Sequence, residues 1–462
     1  MLRISPFRSG WSGAFAVVAL LSSPAFAQTT PDSPSIDALR GEIAALRQEY
    51  ASRLQALEEK LAALAEASEV PPSPPTPPPA ALPVPAPAPL TIASGAGGKN
   101  FLNLSLDGLV AAGASTAEEV EGLQVGGHDP SQRGFTVQNV EAVFEGAVDP
   151  YFRGQANLIL QIDPDGETVV ELEEAYVTTT SLPRGLQLKA GQFQTEFGRL
   201  NPTHPHSWDF VDQPLVNGRF FGPDGLRSVG TRLSWLMPTP FFSEAMVAVQ
   251  NSGGETLNSF RSLPGERLFG REIVERGVSS VSDFLVVPRY TASFDLSDTQ
   301  TLLVGASAAL GPNGTGPDGR TRIYGVDGFW KWKPTNAFRG FPFVKVQGEL
   351  MRREVSAAEL APDFAAAKFD DWGGYLQLNW GYKAGHVLGL RVDRVGGDLG
   401  DPEDSALASR LRISPVLTWF PTEYSKLRLQ YNFDQGDALE DDEHSIWLQL
   451  EFLLGAHAAH KF

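Results

Sequence analysis

The stretch KLRLQYNF, residues 426–433, alternates without a break. Leu427, Leu429, Tyr431 and Phe433 share one parity, and Lys426, Arg428, Gln430 and Asn432 share the other. Successive side chains of a β-strand point to opposite faces. This octapeptide therefore predicts a strand with one wholly apolar face and one strongly polar face. The pattern recurs along the chain. YFRGQANLILQID (151–163) sets Phe152, Gly154, Ala156, Leu158, Leu160 and Ile162 against Arg153, Gln155, Asn157 and Gln161. YGVDGFWKWK (324–333) sets Tyr324, Val326, Trp330 and Trp332 against Asp327, Lys331 and Lys333. DWGGYLQLNWGY (371–382) and SIWLQLEFLL (445–454) repeat the same division, the latter close to the terminal Phe462.

Alternation also marks soluble sandwiches, so three further features decide between the two. Aromatics sit at strand ends, where a transmembrane barrel places its interfacial girdles. The polar face carries charges that need a wet interior. Connections alternate between short and long. Sixteen candidate strands centre near residues 106, 141, 157, 173, 190, 232, 246, 291, 305, 328, 347, 377, 390, 413, 429 and 450. Tight turns follow the even-numbered strands near Asp149, Leu182, Met237, Leu296, Lys383 and Phe420. Long connections at 194–228, 251–284, 353–371 and 396–406 follow odd-numbered ones, with a short exception near Asp163. An even count, short turns on the periplasmic side and long loops outside define a 16-stranded antiparallel transmembrane β-barrel. A closed barrel also explains an apolar strand at the C-terminus, because the last strand pairs with the first and leaves no edge.

The rest of the 462 residues organise around this barrel, read as residues 101–462. Residues 1–27 have the form of a secretory signal, with Arg3 and Arg8, the apolar GAFAVVALL, and Ala25–Ala27 before the cleavage point. The apolar core falls short of the ~20 residues a spanning helix needs. Residues 35–68 carry Ile36, Leu39, Ile43, Leu46, Tyr50, Leu57 and Leu64 at heptad positions, which predicts a periplasmic coiled-coil helix. Residues 69–100 form a Pro/Gly-rich linker whose proline run, at ~3.1 Å per residue, makes an extended rod.

Composition narrows the function. A net charge of −18, reaching −20 once Arg3 and Arg8 are cleaved away, argues against nucleic acid as a partner. With no cysteine there is no disulfide framework, thiolate metal site or cysteine nucleophile. No G-x-S-x-G nucleophile elbow occurs, so the chain reads as a non-enzyme without cofactors.

Facing assignments put Arg153, Lys189, Arg232, Arg289, Lys331, Lys333, Lys345, Arg391, Arg410, Arg412, Lys426 and Arg428 inside. Against them stand Glu141, Glu145, Glu171, Glu173, Asp295, Asp327, Glu349, Asp393 and Glu451. The small basic excess predicts a mildly anion-preferring interior. Glu174 shares the parity of Val170, Leu172 and Tyr176 and would point at lipid. A bulge before Ala175, or burial at a subunit contact, would repair this.

His204 and His206, with Asp209 and Asp212 nearby, invite a metal reading. Pro205 separates them and no third ligand is fixed, so packing or hydrogen bonding is the expected role and no metal is assigned. The acidic run DALEDDEH (437–444) reads as a solvated outer loop, with divalent ions at lipopolysaccharide the alternative.

Signal, coiled coil, proline linker and barrel together resemble the phosphate-selective porin O and P family. GQFQTEFGRLN (191–201), HPHSWDF (204–210) and PLV (214–216) carry the more specific likeness, within 171–240. The resemblance implies a trimeric outer-membrane channel, exported to the outer membrane of a Gram-negative bacterium. No phosphate-binding arginine ladder can be matched residue by residue. In porins of this kind the loop corresponding to 194–228 folds inward and narrows the lumen. That would make Arg199, Arg219, Arg227, Asp209, Asp212 and Asp224 constriction residues. Phe462 resembles the terminal aromatic by which outer-membrane barrels are recognised for insertion. Expected partners are small solutes or anions, outer-membrane lipid and lipopolysaccharide, further copies in a homotrimer, and the cell wall through the coiled coil. Two other functions compete: a barrel that tethers the membrane to the cell wall, and a solute- or metal-uptake receptor.

Overall fold

A computed structural model of the chain describes residues 90–94, 100–162, 166–275, 277–359, 364–397 and 407–455, with three isolated positions before residue 56. The expected signal, the coiled coil, most of the proline linker and Phe462 lie outside the described residues. Among those described, no helix is long and apolar enough to cross a membrane.

Sixteen strands run as an antiparallel meander: β1 Phe101–Ser115, β2 Gly134–Ala147, β3 Phe152–Ile162, β4 Thr168–Thr179, β5 Leu186–Gln194, β6 Arg227–Leu236, β7 Phe242–Asn251 and β8 Phe284–Ser297. They continue as β9 Gln300–Pro312, β10 Arg320–Trp332, β11 Phe343–Ala357, β12 Ala367–Lys383, β13 His386–Gly397, β14 Arg410–Thr422, β15 Ser425–Gly436 and β16 Glu443–Gly455. β16 pairs with β1, from Ser445↔Ser115 to Gly455↔Ser105, so the sheet closes and neither strand is an edge. Every expected strand centre falls within one of these strands.

Leu90–Ser94 (LTIAS), inside the stretch read as linker, forms a further short strand against Phe101–Leu104. It follows the last proline of the run and contains β-branched residues, so nothing prevents it from pairing.

The faces follow the alternation. On β15, Lys426, Arg428, Gln430 and Asn432 are buried within the barrel while Leu429 and Tyr431 are exposed outside. On β4, Val170 and Leu172 are 65% and 47% exposed. Polar residues inside and large apolar residues outside invert the arrangement of a soluble domain.

Two corrections concern register. β11 runs to Ala357 and β12 begins at Ala367, so Arg353 and Asp371 are paired strand residues and not loop ends. At the rim Arg352 stands 2.7 Å from Asp370. On β4, Asn157 pairs with Glu174 and Leu158 with Leu172, which leaves Glu173 as the extra residue of a bulge. Glu173 and Glu174 are therefore both buried. Beyond the bulge the parity reverses. Tyr176 turns inward, its hydroxyl donating to Gln155 at 2.9 Å, and Val177 is exposed.

The interior is not uniformly polar. Phe193, Phe197, Leu215, Val216, Phe220 and Phe221 pack with Leu257 and Phe260 of the 252–283 connection into an apolar core. Full burial stabilises by about 1.5–3 kcal/mol for each such side chain.

Candidate functional site

The connection from Thr195 to Leu226 is the element that organises the barrel interior. Gln194 ends β5, and the chain turns at Gly198 in a left-handed conformation (φ +60°). A Cβ there would collide with the Glu349 carboxylate, which instead accepts the amides of Arg199 at 3.1 Å and Leu200 at 2.7 Å. Arg199 lies over the Phe329 ring at 4.1 Å and donates to Gln347 at 2.9 Å. Near its end the connection forms helix α1 (Leu215–Phe221), which feeds Val216, Phe220 and Phe221 into the core.

Between these points the loop is bonded to the wall by its own backbone. Lys426 donates to the His206 carbonyl at 2.7 Å, and Arg428 donates to the carbonyls of Trp208 at 2.5 Å and Phe210 at 3.0 Å. Lys345 (2.6 Å), Gln377 (3.0 Å) and Asn379 (3.2 Å) hold Asp209. Asp212 accepts from Arg391 (2.7 Å), Arg412 (2.9 Å), Gln430 (2.8 Å) and Asn432 (2.7 Å). Burial alone would raise the Asp212 pKa, but Arg391 and Arg412 hold it below the ordinary carboxylate value. Arg219 binds Asp371 at 2.9 Å, and Arg227, which opens β6, pairs with Glu171.

Strands β2 and β4 receive the side chains of the two histidines. His204 Nδ1 stands 2.9 Å from Glu173 and 3.3 Å from Glu141, and its Nε2 stands 3.0 Å from Glu174. His206 Nδ1 stands 3.1 Å from Glu141. Burial opposes charge on His204, yet the carboxylates of Glu173 and Glu141, with hydrogen bonds to Glu173 and Glu174, hold its pKa well above the ordinary imidazole value. Asp209 and Asp212, the acids suggested as neighbours of these histidines, face the basic wall instead. The acids that meet His204 and His206 come from β2 and β4.

Most of the expected basic residues are buried in ion pairs. Arg289 is paired with Asp327 (2.7 Å), Arg391 with Asp393 (2.7 Å), Arg410 and Arg412 with Asp434 (both 2.8 Å), and Lys426 with Glu451 (2.6 Å). Lys189 (2.8 Å) and Arg232 (2.6 Å) share Glu196. Among the described residues, Arg153, Arg199 and Lys331 have no carboxylate within ion-pair distance. The anticipated row of pore-facing cations is thus largely neutralised, and Arg391, Arg412 and Arg428 are sealed beneath the loop. Sequence reasoning missed Asp434 and the Arg353–Asp371 fork (2.9 and 2.7 Å). Their parity put them inside, where strict alternation could have found them.

No family model matches the chain. A protein of Aquifex aeolicus (strain VF5), described as an uncharacterized protein, is 31% identical over 364 residues, 73% of each chain. The outer membrane channel DcaP of Acinetobacter baumannii superposes with a TM-score of 0.51 at 10% identity, covering 78% of this chain and all of that one. The anion-selective porin from Comamonas acidovorans gives 0.47 at 10% identity, covering 76% of this chain and all of that one.

Proposed function

We propose, for a chain that belongs to one family with the Aquifex aeolicus protein, that it is an outer-membrane porin. It would form a diffusion channel for small solutes, narrowed by the 195–226 loop and mildly anion-preferring. The observation that carries this reading is a closed sixteen-stranded barrel, apolar outside and polar inside, with one loop bonded to several strands of its inner wall. Apolar exposure of this extent matches a lipid-facing belt. Passage involves no covalent step.

Arg153, Arg199 and Lys331 support anion preference, because they are interior cations without an ion pair among the described residues. Glu145 and Asp295 oppose them, so the preference is small. The resemblance of 171–240 to phosphate-selective porins favours phosphate or similar anions as cargo, and a homotrimer as the assembly. Removal of a signal at 1–27, a coiled coil at 35–68 and an insertion role for Phe462 belong to the same reading.

Planar-bilayer conductance of the refolded mature protein, with the reversal potential under a KCl gradient, tests it. Discrete steps, grouped in threes and with a slight chloride preference, are expected. A protein that inserts and never conducts would end the channel reading in favour of a membrane tether.

A further inference from the structure

We propose that the barrel wall and the inward loop together build a divalent transition-metal site centred on Glu141, formed by Asp107 of β1, Glu141 of β2, Glu173 and Glu174 of β4, and His204 and His206 of the loop. The proposal rests on donor geometry and charge, and is independent of the channel reading.

Glu141 lies between two imidazoles. One of its oxygens is 3.1 Å from His206 Nδ1 and the other is 3.3 Å from His204 Nδ1. Two donor triads result, Asp107–Glu141–His206 and Glu141–Glu173–His204, each with its ligating atoms within 4.8 Å of one another. Donors bound at about 2.1 Å to one metal ion stand about 3.0–3.4 Å apart. The Glu141–imidazole separations already fall in that range, and the Glu173–His204 contact of 2.9 Å lies just below it. Mixed imidazole and carboxylate donors suit zinc and neighbouring first-row divalent ions.

Asp107 supplies an independent observation. It is 1% exposed, directly paired in register with Glu141, and both its carboxylate oxygens lack a hydrogen-bond partner among the described residues. A buried carboxylate without donors is costly, and this one belongs to the triad with Glu141 and His206. Charge points the same way. Four buried carboxylates gather about the imidazoles of His204 and His206, so acidic donors stand in excess. The nearby Lys426 is engaged by Glu451 at 2.6 Å. A divalent cation balances that excess, and it would clamp the loop to β1, β2 and β4.

The test strips the full mature protein in detergent with a chelator, then titrates Co2+ and Zn2+ alone. Wild-type protein is expected to take up at least one equivalent of Co2+, with the visible absorption of an ion held by nitrogen and oxygen ligands. Zn2+ should displace it. Glu141→Gln and Asp107→Asn, checked for intact barrels by heat-dependent gel mobility, should each weaken binding at least tenfold. Wild-type protein giving only the spectrum of hydrated Co2+ would overturn the proposal whether or not the variants fold. Equal affinity in a folded Glu141→Gln variant would overturn it too. Bilayer conductance, measured separately, keeps the channel reading distinct from this outcome.

Discussion

A single carboxylate, Asp212, ties the loop to three successive strands. Its partners are Arg391 on β13, Arg412 on β14, and Gln430 and Asn432 on β15. Removing one member of a buried pair leaves a desolvated charge behind and costs about 3–5 kcal/mol. Arg391 and Arg412 retain Asp393 and Asp434, so the lower end of that range applies. We expect Asp212→Ala to fold, to lose thermal stability, and to show a larger, noisier unit conductance as the loop detaches. Unchanged conductance would show that the rest of the loop suffices. Protonation should mimic the substitution. The Asp212 pKa is depressed below its unfolded value of about 3.9, so its contribution is complete above that pH and fades as pH falls through the depressed value. Wild type should therefore acquire the conductance of the variant only below about pH 4. The variant itself should show no such transition, which single-channel recording against pH can check.

One inserted residue on β4 explains more than its size suggests. The bulge at Glu173 lets two consecutive glutamates face inward, so both reach His204. Deleting Glu173 restores plain alternation: Leu172 stays outside, Glu174 inside and Tyr176 inside. Deleting Ala175 instead forces either Glu174 or the segment after it onto the wrong face. The first deletion should give a barrel with wild-type heat-dependent gel mobility, and the second should not. Equal tolerance of both would mean that the bulge is not what sets the register. Alternation located all sixteen strands because one face meets apolar surroundings and the other does not, a contrast written at every second residue. The bulge was legible only as a parity conflict at Glu174, since a local insertion leaves no periodic trace. The rendezvous of His204 and His206 with Glu141 and Glu173 was not legible at all. These residues come from β2, β4 and the loop, and sequence spacing fixes contacts along a strand, not where a 195–226 loop comes to rest.

For the barrel as a whole, counting inward charges treated every cation as equal, whereas pairing divides them into two kinds. Arg289 and Asp327, 2.7 Å apart and both buried, cancel one another before any ion can sense them. Arg153 and Lys331 have no such partner among the described residues, and charge without a local counter-charge is what repels a co-ion. Selectivity should therefore follow the second kind alone. The double variant Arg289→Gln with Asp327→Asn removes one charge of each sign with little change of shape, and its reversal potential should equal that of wild type. Arg153→Glu with Lys331→Glu changes four charge units on unpaired positions, and should carry the reversal potential from the anion side across zero to the cation side. If the paired variant shifts the potential as far as the unpaired one, ions reach the sealed pair, and the loop at Gly198, whose amide donates to Ser307 beside Arg289, does not close off that part of the wall.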